Sequence, residues 1–497
     1  MTASTPEGLA ARIDAVLSID PAAAAIEFQG EWLTWGDLAA TARSVRDQVS
    51  VPGTPVGVLL RNHPVHVGFV LGVLLAGGCV VTINPGRGVE RTRDDIDALG
   101  LPFIAGEPDD VQDLVRPGSE ATTLTATRLG EPLTVEPGTT TDDGPRHPGV
   151  AVRMLTSGTT GPPKRIDLTY ETLEKVLVGA KHYESNRSTE LRLRTGVAIV
   201  NSPLVHLGGL FRVLQCVNDG RPFSLLERFT VDGWLDAVRR HRPATASLVP
   251  AALRMVLEAD VDPADLSSVR SVISGTAPLS PDDADAFMAA YGVPVLISYA
   301  ATEFGGGVAG WNLADHQQYW TSKRGSVGRA HPGCELRVVD PESGEPVPAD
   351  EEGLLEVKAS QLGAGSGWLR TTDLARIDAD GFLWILGRAD QAIIRGGFKV
   401  RPDDVRAALE SHPRVRGAAV VGVDDARLGA VPVAAVELRP GPPVTAEDLV
   451  EHLTGVLARY ELPTEVRIVD ELPRTPSAKV DLAAVRSLFA VAPTGST

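Results

Sequence analysis

Short apolar segments of strand character alternate with helix-like segments through the first 300 residues, and this rhythm restricts the fold more than any other feature. The strand candidates are GVLL at 57, CVVTI at 79, GVAIV at 196, ASLVP at 246, SVISG at 271 and PVLIS at 294. Apolar runs of that length separated by helices belong in mostly parallel sheets covered on both faces. The expectation is an α/β protein of doubly wound subdomains. At roughly 150 residues per domain, 497 residues also require more than one core.

Departures from the rhythm mark the organisation. Val67 to Ile83 is uncharged, but it is 17 residues long, carries four glycines and turns from helix-like to strand-like before Asn84 and Pro85. A buried helix feeding a strand accounts for it better than a membrane span. From Gly106 to Gly149 the chain is rich in Thr, Pro, Gly and Asp with little periodicity, which reads as an irregular connection. Between Gly325 and Ile385 close-spaced turns and alternating strands point to an antiparallel, barrel-like piece. A boundary near Gly387 follows. The expected domains are 1–387 and a small α+β domain at 391–497, which holds helix-like DDVRAALESH, strand-like GAAVVGV and VPVAAVEL, and a helix from Thr445 to Arg459.

Charge and cysteine usage narrow the class. With 47 basic against 64 acidic residues the net charge is −17, which disfavours nucleic acid or an anionic membrane as partner. Cys79, Cys216 and Cys334 are an odd, widely spaced set without metal-ligand spacing, and are expected as reduced structural thiols. The start, MTASTPEGLAARIDAVL, does not resemble a secretory signal, so the expected compartment is the cytoplasm. Of the 47 basic residues only seven are lysine, so a lysine kept at a given place suggests a need for a compact, flexible charge.

The most informative segment follows the strand VAVRML. Thr156, Ser157, Gly158, Thr159, Thr160 and Gly161 precede Lys164, bringing hydroxyls, glycines and one lysine into a single loop. Glycines let backbone N–H groups turn toward an anion, hydroxyls add donors, and the lysine supplies a mobile charge for outer phosphates. It is not a Walker A loop, whose spacing cannot be laid on Gly158 or Gly161.

Seven further elements follow in order: Ser202 to His206, Ser274 to Pro278, Tyr299 to Glu303, Thr372-Asp373, Gly387 to Asp390, Ile394 to Lys399, and Pro473 to Lys479. With the loop, this series resembles the adenylate-forming superfamily of acyl- and aryl-CoA ligases, luciferases and peptide-synthetase adenylation domains. The resemblance implies a large N-terminal domain and a mobile C-terminal one, with a hinge at 388–390 centred on Asp390.

It also implies roles. Glu303 is a hard oxygen ligand suited to Mg²⁺ on the phosphates, with Thr302 donating to the α-phosphate. Tyr299 and the slim wall of Gly275, Thr276, Ala277 and Pro278 would hold adenine, Asp373 the ribose hydroxyls, and Arg388 ribose or phosphate. Lys479 would reach the substrate carboxylate and the α-phosphate and counter charge on the pentavalent phosphorus. After rotation about Asp390, the narrow Gly396-Gly397 strip would admit a pantetheine arm, while Arg395, Lys399 and Arg401 meet the nucleotide end of CoA. A Gly-Gly hairpin turn with solvated cations is the alternative for that strip.

His206 sits where relatives place an aromatic gate by the acyl site, and Val205, His206 and Leu207 offer no Asp to hold an α-ammonium, which disfavours amino-acid activation. Gly208, Gly209, Gly305, Gly306 and Gly307 fall in the corresponding pocket stretches, either because backbone turns need them or because the acyl site is roomy. Arg165, Ala300 and Ala478 stand where relatives usually have glycine, and none removes a reacting group.

The resulting expectation is an AMP-forming acid:CoA ligase using ATP, Mg²⁺ and CoA on an apolar carboxylic acid that is bulky or cyclic. Two alternatives stay open: an acyl-AMP ligase delivering to a carrier-protein phosphopantetheine, and a non-catalytic acyl-adenylate-binding protein. Partners are thus the small acid and CoA or a carrier protein, with no nucleic acid and no membrane span, and with a homodimer as one admissible assembly.

Overall fold

The computed structural model describes residues 8–139, 146–156, 164–180, 191–363, 367–475 and 479–489. These residues form five sheets. The first has seven strands, in the order Thr134–Glu136, Thr122–Thr125, Phe103–Gly106, Pro55–Leu59, Cys79–Ile83, Val150–Thr156 and Lys164–Thr169. Its five inner strands are parallel and its two outer ones antiparallel. Every residue of Cys79–Ile83 is buried, as a central strand of a two-face-covered sheet demands.

The uncharged stretch resolves into the helix Pro64–Leu75 and the strand Cys79–Ile83. Proline opens the helix, and its glycines let it lie close on the helix Trp35–Gln48: a Cβ at Gly72 would stand 2.5 Å from the Ala42 carbonyl oxygen. Among the described residues no helix is long and apolar enough to cross a membrane.

The Gly106–Gly149 segment departs from expectation. It contains the helix Pro108–Leu114 and two strands, Thr122–Thr125 and Thr134–Glu136, at one margin of the large sheet. Threonine is at home in strands, and with Thr123 and Leu124 the only buried residues of Thr122–Thr125, and none buried in the outermost strand Thr134–Glu136, periodicity looked absent.

The second sheet joins Ala198–Val200, Phe223–Leu225, Ala24–Phe28 and Glu31–Thr34. The third runs Thr245–Ser247, Ser271–Ser274 and Val295–Ala301 in parallel, then adds Gly306–Gly310 and Arg329–Ala330 antiparallel. The fourth is the expected antiparallel piece, Cys334–Val339, Gly353–Ala359, Leu369–Ile377 and Leu383–Arg388, linked back to the third through an Arg329–Phe382 bridge.

The smaller C-terminal domain pairs Phe398–Val400, Ile393–Arg395, Gly429–Leu438 and Val415–Asp425, with Glu465–Val469 parallel to Gly429–Leu438. Its two apolar clusters are built wholly from residues between Ile393 and Phe489. The helix expected from Thr445 to Arg459 is shorter, Ala446–Thr454: Thr445 caps it in a capping box with Asp448, and Gly455 ends it. The three cysteines are unpaired, Cys79 and Cys216 buried, and burial pushes the Cys79 thiol up to about 12.

Candidate active site

Two features of the third sheet define the site's floor. At the carboxyl end of Ser271–Ser274 the chain passes through Gly275 into Thr276, whose φ of +71° is a left-handed conformation that costs a threonine energy. A Cβ at Gly275 would lie 2.9 Å from the Ser298 carbonyl, so only glycine lets this segment lie against the next strand. Ala277 is half-buried and Pro278 exposed before the helix Pro281–Tyr291. The next strand, Val295–Ala301, carries Tyr299 and ends in a 3₁₀ turn formed by Thr302, Glu303 and Phe304. Ligand-binding groups at the carboxyl ends of parallel strands follow the general rule for open α/β sheets.

The fourth sheet brings in the next pair. Asp373 and Arg388 lie directly opposite each other on adjacent antiparallel strands. Tyr299 Oη donates to Asp373 Oδ2, tying third and fourth sheets together at the site. Burial raises the Asp373 carboxyl above its ordinary range, against the opposing pull of the Tyr299 hydrogen bond and Arg388. The same burial, with Asp373 and then Glu303 adding negative charge, pushes the Tyr299 phenol up. Arg388 holds Asp390 through Nε at 2.9 Å and Nη2 at 2.6 Å, and its guanidinium also feels Asp373 and Glu303.

The C-terminal domain completes the cluster. Burial lowers the Lys479 ammonium, and the Glu303 carboxylate pulls it back up. His206, just ahead of the helix Leu207–Asn218, is held down at about 4 by burial and then by the Lys479 charge, so its imidazole is neutral at pH 7. Its Nε2 is buried without a hydrogen-bond partner among the described residues, an orphaned polar atom on a ring that feels the Lys479 charge. Lys479, Glu303, His206, Tyr299, Asp373, Arg388 and Asp390 therefore form one electrostatically connected group drawn from both domains.

Thr156 and Lys164 are cross-strand partners at the end of the antiparallel pair Val150–Thr156 and Lys164–Thr169. Ser157, Gly158, Thr159, Thr160 and Gly161, like Ala478, lie outside the described residues. Arg165 has a structural explanation: Nη2 pairs with Asp95 at 2.6 Å and Nη1 donates to the Thr82 carbonyl at 3.0 Å, anchoring this strand pair to the sheet. Ala300 is exposed beside a bulge and has room for its methyl group.

The glycines assigned to the acyl pocket divide. Gly208 is exposed with open space around it. A Cβ at Gly209 would stand 2.2 Å from the Pro203 carbonyl oxygen, one at Gly305 2.5 Å from Thr172 Cγ2, and one at Gly306 3.0 Å from Val176 Cγ1. At Gly307 the space is taken by His331 and Ser298, at 3.1 and 3.3 Å. At these four positions close packing, not a roomy cavity, is what the missing side chains serve.

Gly396 and Gly397, with φ of +56° and +88°, are the two-residue turn of the hairpin Ile393–Arg395/Phe398–Val400. Arg395 is engaged inside its own domain, donating to the Tyr460 and Leu462 carbonyls at 2.8 and 2.9 Å, so in this arrangement it does not join the site. Lys399 is exposed on the hairpin, and Arg401 pairs with Glu352 of the large domain.

Two residues escaped the sequence reading. Asn62, 7% exposed, donates Nδ2 to the Ser202 and Leu226 carbonyls and accepts from Leu204 N–H at 2.8 Å, clamping the loop that carries His206. Its signal was its place just beyond a parallel strand and before a proline-opened helix. His331, lodged over Gly307 and Gly310, was hidden among turn residues. A metal ligand set is modest: among the described residues no group of three or more His, Cys, Asp or Glu side chains gathers to hold an ion. A lone carboxylate such as Glu303 fits a Mg²⁺ that arrives on phosphate oxygens.

Residues 14–365 match the family described as AMP-binding enzyme, and residues 404–479 match the AMP-binding enzyme C-terminal domain. An indoleacetate–CoA ligase of Aromatoleum aromaticum is 34% identical over 370 residues, 70% of each chain. The 4-coumarate–CoA ligase 5 of Oryza sativa subsp. japonica is 29% identical over 505 residues, 95% of this chain and 92% of the relative. Among solved structures, ATP-bound MatB from Rhodopseudomonas palustris aligns with a TM-score of 0.81 at 25% identity, over 97% of this chain and 99% of that one.

Proposed function

The chain belongs to the AMP-binding enzyme family, and from that premise we propose that it is an ATP-dependent ligase joining an aromatic carboxylic acid to CoA. As an AMP-forming acid–thiol ligase it uses ATP, Mg²⁺ and CoA. In the first half-reaction a carboxylate oxygen attacks the α-phosphorus and the bond to pyrophosphate breaks, leaving an acyl-adenylate. In the second the CoA thiol attacks the carbonyl carbon and AMP leaves.

The observation that carries this reading is that the buried Lys479 ammonium feels the Glu303 carboxylate and is felt by the His206 imidazole, both on the large domain. Lys479 faces the charge that builds as carboxylate meets phosphate, and a charge already in place costs no reorganisation. Glu303 and Thr302 address the phosphates, with Mg²⁺ supplying charge neutralisation there. Tyr299 offers its ring face to adenine while its hydroxyl orients Asp373 toward the ribose. Neutral His206 presents no charge to the acyl group, and no acidic side chain in the 202–209 loop awaits an ammonium. An apolar, flat acid fits these surroundings, and two of the relatives are named for indoleacetate and 4-coumarate.

Domain alternation about 388–390 gives each half-reaction its own arrangement. The influence of Glu303 on Lys479 supports assigning this arrangement to adenylation. Rotation brings the Gly396-Gly397 turn, exposed and unobstructed at Gly397, toward the acyl-adenylate.

Pyrophosphate release measured over indoleacetate, 4-coumarate, benzoate, acetate and free amino acids, with and without CoA, tests the reading. Release with aromatic acids and thioester formation on adding CoA are expected. Preference for acetate or an amino acid overturns the substrate class, and release without thioester in the presence of CoA overturns the acceptor.

A further inference from the structure

Two arginines of the small domain reach across to glutamates of the large one. Arg401 Nη2 lies 2.5 Å from Glu352 Oε2. Arg416, on the strand Val415–Asp425, is bidentate to Glu258 at the end of the helix Pro250–Glu258: Nε is 2.7 Å from Oε1, and Nη2 bonds Oε2. The seam beside this pair is a polar cleft of about 130 Å³ lined by residues such as Arg254, Asp283, Glu410, His412 and Arg439. A polar seam held by ion pairs can part without exposing a hydrophobic core.

Arg416 also leads inward. Its Nη1 lies 2.6 Å from Oε1 of Glu437, a carboxylate only 1% exposed. Glu437 Oε2 accepts from Leu472 N–H at 3.2 Å and faces Arg474 Nη2 at 3.6 Å. Leu472 and Arg474 open the loop that ends at Lys479. The stems of that loop are joined by an Arg474–Val480 bridge and by Asp481 N–H to the Pro473 carbonyl at 2.8 Å, and Thr475 N–H donates to the Lys479 carbonyl at 2.7 Å. One guanidinium is thus shared between the domain seam and the base of the lysine loop.

We propose that Arg416 is a positioning residue for adenylation, latching the C-terminal domain to Glu258 and, through Glu437, setting the loop that carries Lys479. The proposal rests on the ligase reading above. It makes docking of the domain and placement of Lys479 one event, because the residue that grips the large domain is the one that braces the loop. Release of Arg416 from Glu258, with Arg401 from Glu352, then accompanies rotation to the thioester-forming arrangement.

Glu258→Gln is the test variant, since it weakens the seam while leaving the buried Arg416–Glu437 pair intact and so does not threaten folding of the small domain. Nitroxides at exposed Met255 and Val456, introduced as cysteines after Cys334→Ser, report the domain arrangement by electron–electron distance measurement on the chain without substrates. Pyrophosphate release and thioester formation from supplied acyl-adenylate are measured alongside.

The expected result is a broadened distance distribution in Glu258→Gln, with pyrophosphate release lowered about two- to fivefold, the range a half-exposed ion pair carries, and thioester formation undiminished. Raising the salt should produce the same shift in the wild type and little more in the variant. Superimposable distance distributions overturn the latch, as does an equal loss in both half-reactions. A wild type that releases no pyrophosphate while the label distances still respond to Glu258→Gln marks failure of the ligase reading instead.

Discussion

Lys479 and His206 belong to different domains, yet the lysine's charge is one of the two causes that hold the imidazole down at about 4. Burial is the larger cause. A histidine lowered in the fold and near 6.5 when unfolded favours the folded state fully above pH 6.5, and that contribution is lost as pH falls toward 4. Removing a neighbouring positive charge stabilises imidazolium, so Lys479→Ala should raise the His206 midpoint while burial keeps it below 6.5. A histidine ring NMR titration reads this directly. An unchanged midpoint would place Lys479 outside the cleft.

Gly208 and Gly209 are neighbours on one helix and should respond in opposite ways. Gly208→Ala meets open space and gains helix propensity, so stability should hold or rise by up to about 1 kcal/mol. Gly209→Ala drives a methyl into the Pro203 carbonyl and should cost about 1–3 kcal/mol. Denaturant unfolding of the pair decides it, and equal stabilities would mean that the Pro203 contact yields freely.

Much of this fold was legible because its strands are chemically plain. Cys79–Ile83 is apolar but for Thr82 and buried throughout, as a central strand beside a glycine-bearing helix requires. The strands Thr122–Thr125 and Thr134–Glu136 were hidden because threonine, at home in a strand, also signals a loop, and because the outermost strand Thr134–Glu136 tolerates polar residues. The site divides likewise. Glu303, Asp373 and Lys479 stand in short local patterns that spell out their chemistry, whereas Asn62 acts on the Ser202 and Leu204 backbone 140 and 142 residues away. Arg416 meets Glu258 across 158 residues. Composition and spacing carry no trace of contacts that only folding creates.

Glu303 is the carboxylate that Lys479, Tyr299, Asp373 and Arg388 all sense. Glu303→Gln keeps the shape and removes the charge, so it should raise the Mg²⁺ concentration needed for half-maximal pyrophosphate release and depress the first half-reaction. A Mg²⁺ titration superimposable on the wild type would remove Glu303 from the phosphates.

Asp390 sits in the 3₁₀ turn Ala389–Gln391, a conformation whose usual φ range includes the value near −65° that proline fixes. Asp390→Pro should therefore freeze the arrangement seen here, keeping acid-dependent pyrophosphate release and losing thioester formation. Loss of both half-reactions in equal proportion would mean that Asp390 is not where the domain turns.

The most direct test of the central claim is pyrophosphate release by Lys479→Ala with the preferred acid, set against its thioester formation from supplied acyl-adenylate and CoA. Loss of a preorganised charge at the reacting phosphorus predicts a fall of at least roughly 10²-fold in the first measurement, with the second largely intact. Pyrophosphate release near the wild-type rate would contradict the account.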